Sequence, residues 1–290
     1  MAAQIVHPAL TEKSCHEKRS KWSNSVADFE VISIDCEPPR QFDSLQPMAH
    51  YPSNVLELLQ RQCTKPFDII TGPVFRVRCI NLLYEGKTAT SGNLHSIVHI
   101  MAHHIVVDGW SMEILQKELF KCYDHFLRTS SALPPELPVL TTTMVEVANM
   151  QKEFVSSAEG QRSWSYWQRL LAKPLPLVQL PVDMARPPTQ TFSGAVHQFS
   201  IPSDLSMRLR DLARSERATV FMVLLTSWFT LLHRYSGEED IIVGTPMACR
   251  NQTSALENVV GNFVNPVCIR VSFVNSPNFK QLLELVKQLT

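Results

Sequence analysis

Glycine is scarce in this chain: there are nine glycines among 290 residues, and they form neither a G-x-x-x-x-G-K-[ST] nor a G-x-G-x-x-G run. The sequence therefore contains no recognisable loop for binding a nucleotide phosphate. It also lacks the G-x-S-x-G turn that presents a nucleophilic serine. These absences disfavour a reaction driven by ATP bound to this chain and one that uses such a serine.

Net charge and long apolar runs are also missing. Lys+Arg 27 balance Asp+Glu 27, so no basic field is available to bind nucleic acid or an anionic membrane. The most apolar segment, at 219–235, is shorter than the ~20 residues that span a bilayer, and the N-terminus has no apolar signal-peptide core. The seven cysteines form no C-x-x-C pair, as is typical of free thiols. We expect a cytoplasmic protein.

Apolar periodicity predicts strands and helices in both halves of the chain. The predicted strands cover 29–35, 74–85, 94–107, 195–201, 240–244 and 266–273. The predicted helices cover 54–65, 112–126, 144–172, a segment capped by Ser203, 219–235 and 278–290. This mixture predicts an α/β chain made of α+β two-layer sandwich lobes. A proline-rich linker at 173–194 is expected to separate a lobe at 1–172 from one at 195–290.

The stretch HIMAHHIVVDGWS, from His99 to Ser111, carries the most unusual polar pattern. His95, His99 and His103 recur every four residues, as zinc ligands can on a helix, but the surrounding Ile, Val and Met favour a strand. No cysteine or carboxylate nearby completes a ligand set, so a metal site is disfavoured. On a strand, these three histidines would share one face and His104 the other. We therefore expect His103 and His104 to have different surroundings.

Two interpretations of the histidine pair are open on residue chemistry alone. The first is a hydrogen-bonded pair of core histidines at the end of a strand. The second is catalytic, because an imidazole with an ordinary pKa near 6.5 can accept a proton at neutral pH. Asp108 could then fix the turn, and Gly109 could let the chain turn sharply and let substrate approach the backbone.

Several segments together resemble one family. The histidine stretch is similar to the HHxxxDG motif of condensation domains of nonribosomal peptide synthetases, which belong to the chloramphenicol acetyltransferase-like superfamily. The supporting segments are PFDIITGPVFRVRCINL, YWQRLLAKPLPLVQLPVDMARPP, SGEEDIIVGTPMACRN and VVGNFVNPVCIR. The resemblance runs from about residue 55 to the end. It implies an N-terminal lobe of that fold and an incomplete second lobe, because motifs expected at both ends are missing.

The resemblance also implies a reaction and its residues. An amide bond would form between a carrier-bound acyl or peptidyl thioester and a carrier-bound aminoacyl amine. His104 would be the active-site histidine, as general base or as positioner; His103 and Asp108 would be structural, and Gly109 would line the site. Arg250 and Asn265 match second-lobe motifs, and each would support the fold or act directly.

The implied partners are donor and acceptor peptidyl or acyl carrier proteins, with adenylation or polyketide synthase modules as further partners. The chain itself would bind no cofactor and no metal, since phosphopantetheine arms deliver the substrates. Two alternatives stay open. One is an impaired remnant or carrier-docking module, and the other is an epimerization domain or CoA-type acyltransferase of the same superfamily.

The implied truncation raises a question about charge. The arginine that pairs with the motif aspartate in the superfamily has no counterpart near the N-terminus, so Asp108 is expected to be a poorly compensated buried carboxylate. Arg76 and Arg250 are the candidate substitutes. The second lobe is expected to expose sheet edges or apolar surface.

Overall fold

The structure is a computed structural model. It describes residues 2–6, 20–23, 27–36, 51, 53–84, 95–129, 131, 133–185, 187–191, 193–250 and 254–290. The chain divides into two compact units: the first combines Met1–Met144 with Arg250–Phe263, and the second combines Val145–Cys249 with Val264–Thr290. Segment 250–263 thus belongs to the first unit although it lies late in the sequence. The lobe and linker boundaries given above stay a prediction.

The first unit contains a five-stranded sheet in the order β1-β5-β4-β3-β2. Its strands are β1 (Ala2–Val6), β2 (Ser20–Ser23), β3 (Ala27–Cys36), β4 (Phe75–Tyr84) and β5 (His95–Ala102). β4 and β5 pair antiparallel from Phe75 opposite Ala102, whereas β3 and β4 pair parallel over ten residues. The residues that join β4 to β5, 85–94, lie outside the described residues. The start of β4 and the end of β5 therefore lie side by side.

Helix α1 (Ser53–Thr64) packs on one face of this sheet. Val55, Leu58 and Leu59 recur at helical spacing and are buried against alternate residues of three strands. Those strand residues are Ile32, Ile80, Leu82 and Ile97. This small apolar core holds β3, β4 and β5 together.

The same sheet face turns polar toward the end of β5. Arg78, which is buried, pairs with Asp28 at 2.7 Å and with Glu30 at 3.0 Å. His99 stands opposite Arg78 in the strand register and is 3% exposed, with its Nε2 3.5 Å from the Sγ of Cys63. Burial is the main cause that lowers the pKa of His99, and nearby positive charge, including Arg78, lowers it further. His99 is therefore neutral in the folded protein at neutral pH.

The remaining helices of the middle of the chain are α2 (Gly109–Arg128), α3 (Met144–Ser156) and α4 (Ala158–Leu170). α2 confirms the helix predicted behind the histidine pair. The single helix predicted at 144–172 is wrong, because Ser157 interrupts it and caps α4 by accepting a hydrogen bond from the Gly160 N–H. Serine at an N-cap satisfies an otherwise unpaired backbone donor, so the break is locally stabilised.

The second unit continues with α5 (Ser203–Ser215), α6 (Val220–Ser236), β6 (Asp240–Met247), β7 (Asn265–Ser272) and α7 (Phe279–Leu289). β6 and β7 form an antiparallel pair. α6 begins at the Thr219 cap and ends at Gly237, whose φ of 73° lies in the left-handed region that glycine tolerates. The apolar core is made by residues of α6, both strands and α7, including Phe229, Ile241 and Val271.

Two predictions in this unit are wrong. Segment 195–201 is irregular rather than a strand, and it pairs with no strand of the described residues; an isolated strand has no ladder to stabilise it. Ser203 is the first helical residue, not the cap, because Pro202 takes the N-cap position without a side-chain bond.

The expected apolar surface is present. One face of α6 exposes five large side chains: Phe221, Leu224, Trp228, Leu231 and Tyr235. Across the described residues, no helix is both long and apolar enough to cross a membrane.

The buried His99 predicts a pH dependence of stability. Its folded pKa lies below the unfolded value, so the unfolded chain binds a proton more readily and acid favours unfolding. The free energy of unfolding should be undiminished above pH 6.5 and should fall as the pH drops below it, by at most about 1.4 kcal/mol per pH unit for one histidine. Urea unfolding at pH 7.5 and pH 5.5 measures this. His99→Gln should show a smaller loss between the two pH values, and an equal loss in both proteins would contradict the assignment.

Candidate active site

The histidine pair lies in a turn that leaves the sheet. β5 ends at Ala102, and the His103 N–H donates to the carbonyl of Val74 at 2.9 Å, beside the first residue of β4. The Val106 N–H then donates back to the carbonyl of His103 at 3.1 Å. Residues 103–108, called the histidine turn below, thus join the end of β5 to the start of α2.

The strand predicted through residue 107 is therefore too long, and strand alternation does not separate the two histidines. The turn separates them instead. His103 is half-buried, and its Nδ1 accepts a hydrogen bond from the Ile105 N–H at 3.1 Å. A backbone N–H can only donate, so Nδ1 of His103 carries no proton and a neutral ring is protonated at Nε2. His104 is exposed, and within the described residues nothing hydrogen-bonds to its ring.

The structure brings no metal-ligand set together here. Among the described side chains, no group of three His, Cys, Asp or Glu residues is arranged to hold a metal ion. His99 contacts Cys63 at 3.5 Å, whereas His103 contacts the ring of Phe67 edge-on, with centroids 6.1 Å apart. His99 and His103, two of the three histidines spaced every four residues, thus contact different side chains rather than a shared site.

Asp108 ends the histidine turn and caps α2. Its Oδ1 accepts a hydrogen bond from the Ser111 N–H at 2.7 Å, and its Oδ2 accepts one from the Phe263 N–H at 3.1 Å. Arg250 binds both oxygens of the same carboxylate, at 3.0 and 3.2 Å. Asp108 and Arg250 are each 2% exposed. The expectation that Asp108 is poorly compensated is wrong, because Arg250 supplies the compensating positive charge.

Arg250 is bound on several sides at once. It donates to the carbonyls of Leu256 at 2.9 Å and Val259 at 2.6 Å, and its guanidinium lies 3.9 Å from the centre of the Phe263 ring. Its Nε alone has no acceptor among the described residues. This one side chain therefore binds residues between 256 and 263 while neutralising Asp108.

Ser111 completes the buried network. Its hydroxyl donates to the carbonyl of Gly261 at 2.8 Å and accepts from the Gly261 N–H at 3.0 Å and from Arg250 at 2.9 Å. One residue earlier, the indole N–H of Trp110 donates to the carbonyl of Glu257 at 3.0 Å. The first turn of α2 is thus tied to segment 250–263 by backbone and side-chain bonds.

The surroundings of Asp108 determine its ionisation. Burial raises its pKa, but hydrogen bonds from Ser111 and the Phe263 N–H, together with the charge of Arg250, outweigh burial and hold the pKa below its usual value. Asp108 is therefore an anion at neutral pH. A carboxylate held in this way orients a turn rather than exchanging protons with a substrate.

The other predicted residues have distinct places. Arg76, the second candidate partner of Asp108, instead donates to the carbonyls of Lys65 and Pro66. Gly109 is the first residue of α2 and has no left-handed φ, so the turn does not require glycine there; a side chain added at this residue would meet nothing within 4 Å. Asn265 lies in the second unit, exposed at the start of β7, with its Nδ2 3.6 Å from the Sγ of Cys249.

Comparison with known proteins assigns this arrangement to a family. The family model of the condensation domain matches residues 44–290. The chain belongs to the condensation-domain family. The resemblance carried by the histidine turn and the later segments is thereby confirmed.

Relatives of this condensation domain are parts of much longer proteins. One of the linear gramicidin synthase proteins of Brevibacillus parabrevis is 34% identical over 287 residues, which make up 99% of this chain and 3% of that protein. Malpibaldin synthetase of Mortierella alpina is 33% identical over 266 residues, 92% of this chain and 5% of that protein. The chain therefore spans a small part of the length of these relatives.

Solved structures confirm the predicted fold. The first condensation domain of the calcium-dependent antibiotic synthetase, in complex with a substrate analogue, superposes with a TM-score of 0.65 at 20% identity. The match covers 89% of this chain and 52% of that chain. The mixed α/β architecture inferred from the sequence is the chloramphenicol acetyltransferase-like fold of these condensation domains.

Pairing of Asp108 with Arg250 predicts strong energetic coupling. Arg250→Met leaves a buried carboxylate without its cation and should lower the free energy of unfolding by about 3–5 kcal/mol. Asp108→Asn keeps a side-chain oxygen as helix cap but removes the charge, and the double variant removes both charges. Chemical denaturation of the four proteins should show that the double variant loses less than the sum of the single losses. Additivity within about 0.5 kcal/mol would contradict a direct pair.

Proposed function

We propose that this chain forms amide bonds as a condensation domain in nonribosomal peptide biosynthesis or hybrid polyketide–peptide biosynthesis. The donor is an acyl or peptidyl thioester on one carrier protein, and the acceptor is the amine of an aminoacyl thioester on another. The observation that carries the proposal is the exposed His104 in the histidine turn. The last residue of this turn, Asp108, is held in place by Arg250. The residues around His104 thus hold the turn and leave the imidazole of His104 exposed.

The chemistry is aminolysis of a thioester. The amine nitrogen attacks the acyl carbon, a C–N bond forms, and the C–S bond of the donor breaks. The imidazole of His104 accepts the proton that the amine loses and returns it to the departing thiolate, so no net proton remains on the enzyme. His103 is not suited to accept through Nδ1, because the Ile105 N–H occupies that nitrogen.

Backbone donors at the start of α2, which follows the histidine turn, supply a place for the oxyanion. Gly109 and Trp110 begin α2, and no acceptor for either N–H lies in the part of the chain that the structure describes. Such donors stabilise negative charge that develops on the acyl oxygen. Arg250 neutralises Asp108 next to them, which lowers the repulsion between that carboxylate and an oxyanion.

The substrates and partners follow from this reaction. Phosphopantetheine arms of peptidyl or acyl carrier proteins would present both reactants, so the chain would need no bound cofactor of its own. Adenylation or polyketide synthase modules would act upstream or downstream on the same carriers. We place the reaction in the cytoplasm.

Reconstitution tests the proposal directly. The chain is mixed with an acyl-loaded donor carrier and an aminoacyl-loaded acceptor carrier, and amide product is followed by mass spectrometry. His104→Ala should lower the rate of product formation about 10²–10⁴-fold, the usual contribution of a positioned acid–base group. His197→Ala, which removes an exposed histidine of the second unit, should keep the wild-type rate.

Each other outcome has a defined meaning. Amide product that persists undiminished in His104→Ala would overturn the role of His104. If wild type forms no product but still binds both carriers, the chain is a remnant or docking module. Inversion of the carrier-bound residue without amide formation, seen by chiral analysis after hydrolysis, would identify an epimerization domain instead.

A further inference from the structure

The loop between α1 and β4, residues 65–74, contacts the histidine turn at two points. We call it the clamp loop. At its end, the carbonyl of Val74 accepts the hydrogen bond from the His103 N–H at 2.9 Å. Near its start, the ring of Phe67 meets the imidazole of His103 edge-to-face, with the ring planes at 88°. The clamp loop therefore contacts both the backbone and the imidazole ring of His103.

Arg76 holds the clamp loop from the sheet side. It is 5% exposed, and it donates to the carbonyls of Lys65 at 2.8 Å and Pro66 at 2.5 Å. Its guanidinium carbon lies 3.9 Å from the centre of the Phe67 ring, a cation–π distance. Phe67 thus contacts both Arg76 and His103, and these contacts with the clamp loop account for the burial of the arginine.

The tip of the clamp loop is closed by Asp68. Its Oδ1 accepts hydrogen bonds from the N–H of Ile70 at 2.9 Å and of Thr71 at 3.1 Å, while its backbone carbonyl accepts one from Gly72 at 2.9 Å. A loop bonded internally in this way has little freedom to move Phe67. The position of Phe67 is therefore set by the loop and by Arg76, before any substrate is present.

We propose that Phe67 and Arg76 are positioning residues for the amide-forming reaction, acting on His104 through His103. The inference rests on the proposed function. Arg76 fixes the ring of Phe67, Phe67 fixes the imidazole of His103, and Nδ1 of His103 holds the Ile105 N–H. The residue between these two bonded positions is His104. A substitution that weakens the contacts of Phe67 or Arg76 should therefore shift the imidazole of His104. It would not remove any group that touches substrate.

Arg78 provides a matched control for Arg76. The two lie two residues apart on β4, so they share a sheet face, and both are buried. Arg78, however, pairs with Asp28 and Glu30 rather than with the clamp loop. Arg78→Lys should destabilise the fold as a buried arginine substitution does, but it should not disturb His103.

The kinetic test uses the reconstituted reaction with the full chain and four variants: Phe67→Leu, Phe67→Tyr, Arg76→Lys and Arg78→Lys. Phe67→Leu and Arg76→Lys should lower kcat about 10–100-fold, the effect expected of a small misplacement, with little change in KM for either carrier. Phe67→Tyr keeps the aromatic ring and should restore most of the rate. Arg78→Lys should keep kcat. Equal kcat in Phe67→Leu and wild type, or an equal loss in Arg78→Lys, would overturn the proposal.

A spectroscopic readout separates this inference from the proposed function. In protein labelled with ¹⁵N-histidine, the wild-type His103 should show an unprotonated Nδ1 and a protonated Nε2 at neutral pH. Phe67→Leu and Arg76→Lys should shift the His103 signals and weaken this tautomer preference, whereas Arg78→Lys should not. Unchanged His103 signals in Phe67→Leu and Arg76→Lys would overturn the proposal that Phe67 and Arg76 position His103, even if activity fell. If the wild type forms no amide at all, the proposed function fails, and these signals still decide whether Phe67 and Arg76 position His103.

Discussion

The ion pair between Asp108 and Arg250 is the interaction on which the site depends. Both side chains are almost fully buried, and a lone buried charge would cost several kcal/mol, a large part of a typical folding free energy of about 5–15 kcal/mol. Neither partner can therefore be buried without the other. Because Arg250 also binds the carbonyls of Leu256 and Val259, the pair links residues 256–263 to the start of α2.

The two sides of the histidine turn are supported by different physical means. On the α2 side the support is electrostatic: a carboxylate, a guanidinium and the hydroxyl of Ser111 share bonds in a dry interior. On the sheet side the support is a cation–π contact of Arg76 with Phe67 and an edge-to-face contact of Phe67 with His103. The turn between them contains the exposed His104. A rigid frame around one accessible imidazole suits a reaction in which positioning lowers the barrier.

Local features of the fold were readable from the sequence, and long-range ones were not. Apolar periodicity predicts α2, α6 and most of the strands because each pattern is confined to one element. Periodicity did not show that β5 ends at Ala102, since the turn after it is also apolar. The resemblance pointed to the histidine pair, but the choice between Arg76 and Arg250 needed coordinates. Asp108 three residues before Ser111 is a helix-cap signal, whereas nothing local indicates that Ser111 binds Gly261.

The distance along the chain between the two charges has a consequence for biosynthesis. Asp108 and Arg250 are separated by 142 residues. At translation speeds of about 5–20 residues per second, the ribosome adds Arg250 on the order of ten seconds after Asp108. During that interval the nascent histidine turn has a carboxylate but no guanidinium, so it is not expected to acquire its native shape. The HHxxxDG motif is thus synthesised well before its charge partner. A nascent chain interrupted before residue 250 would carry every residue of the motif without the ion pair that holds Asp108.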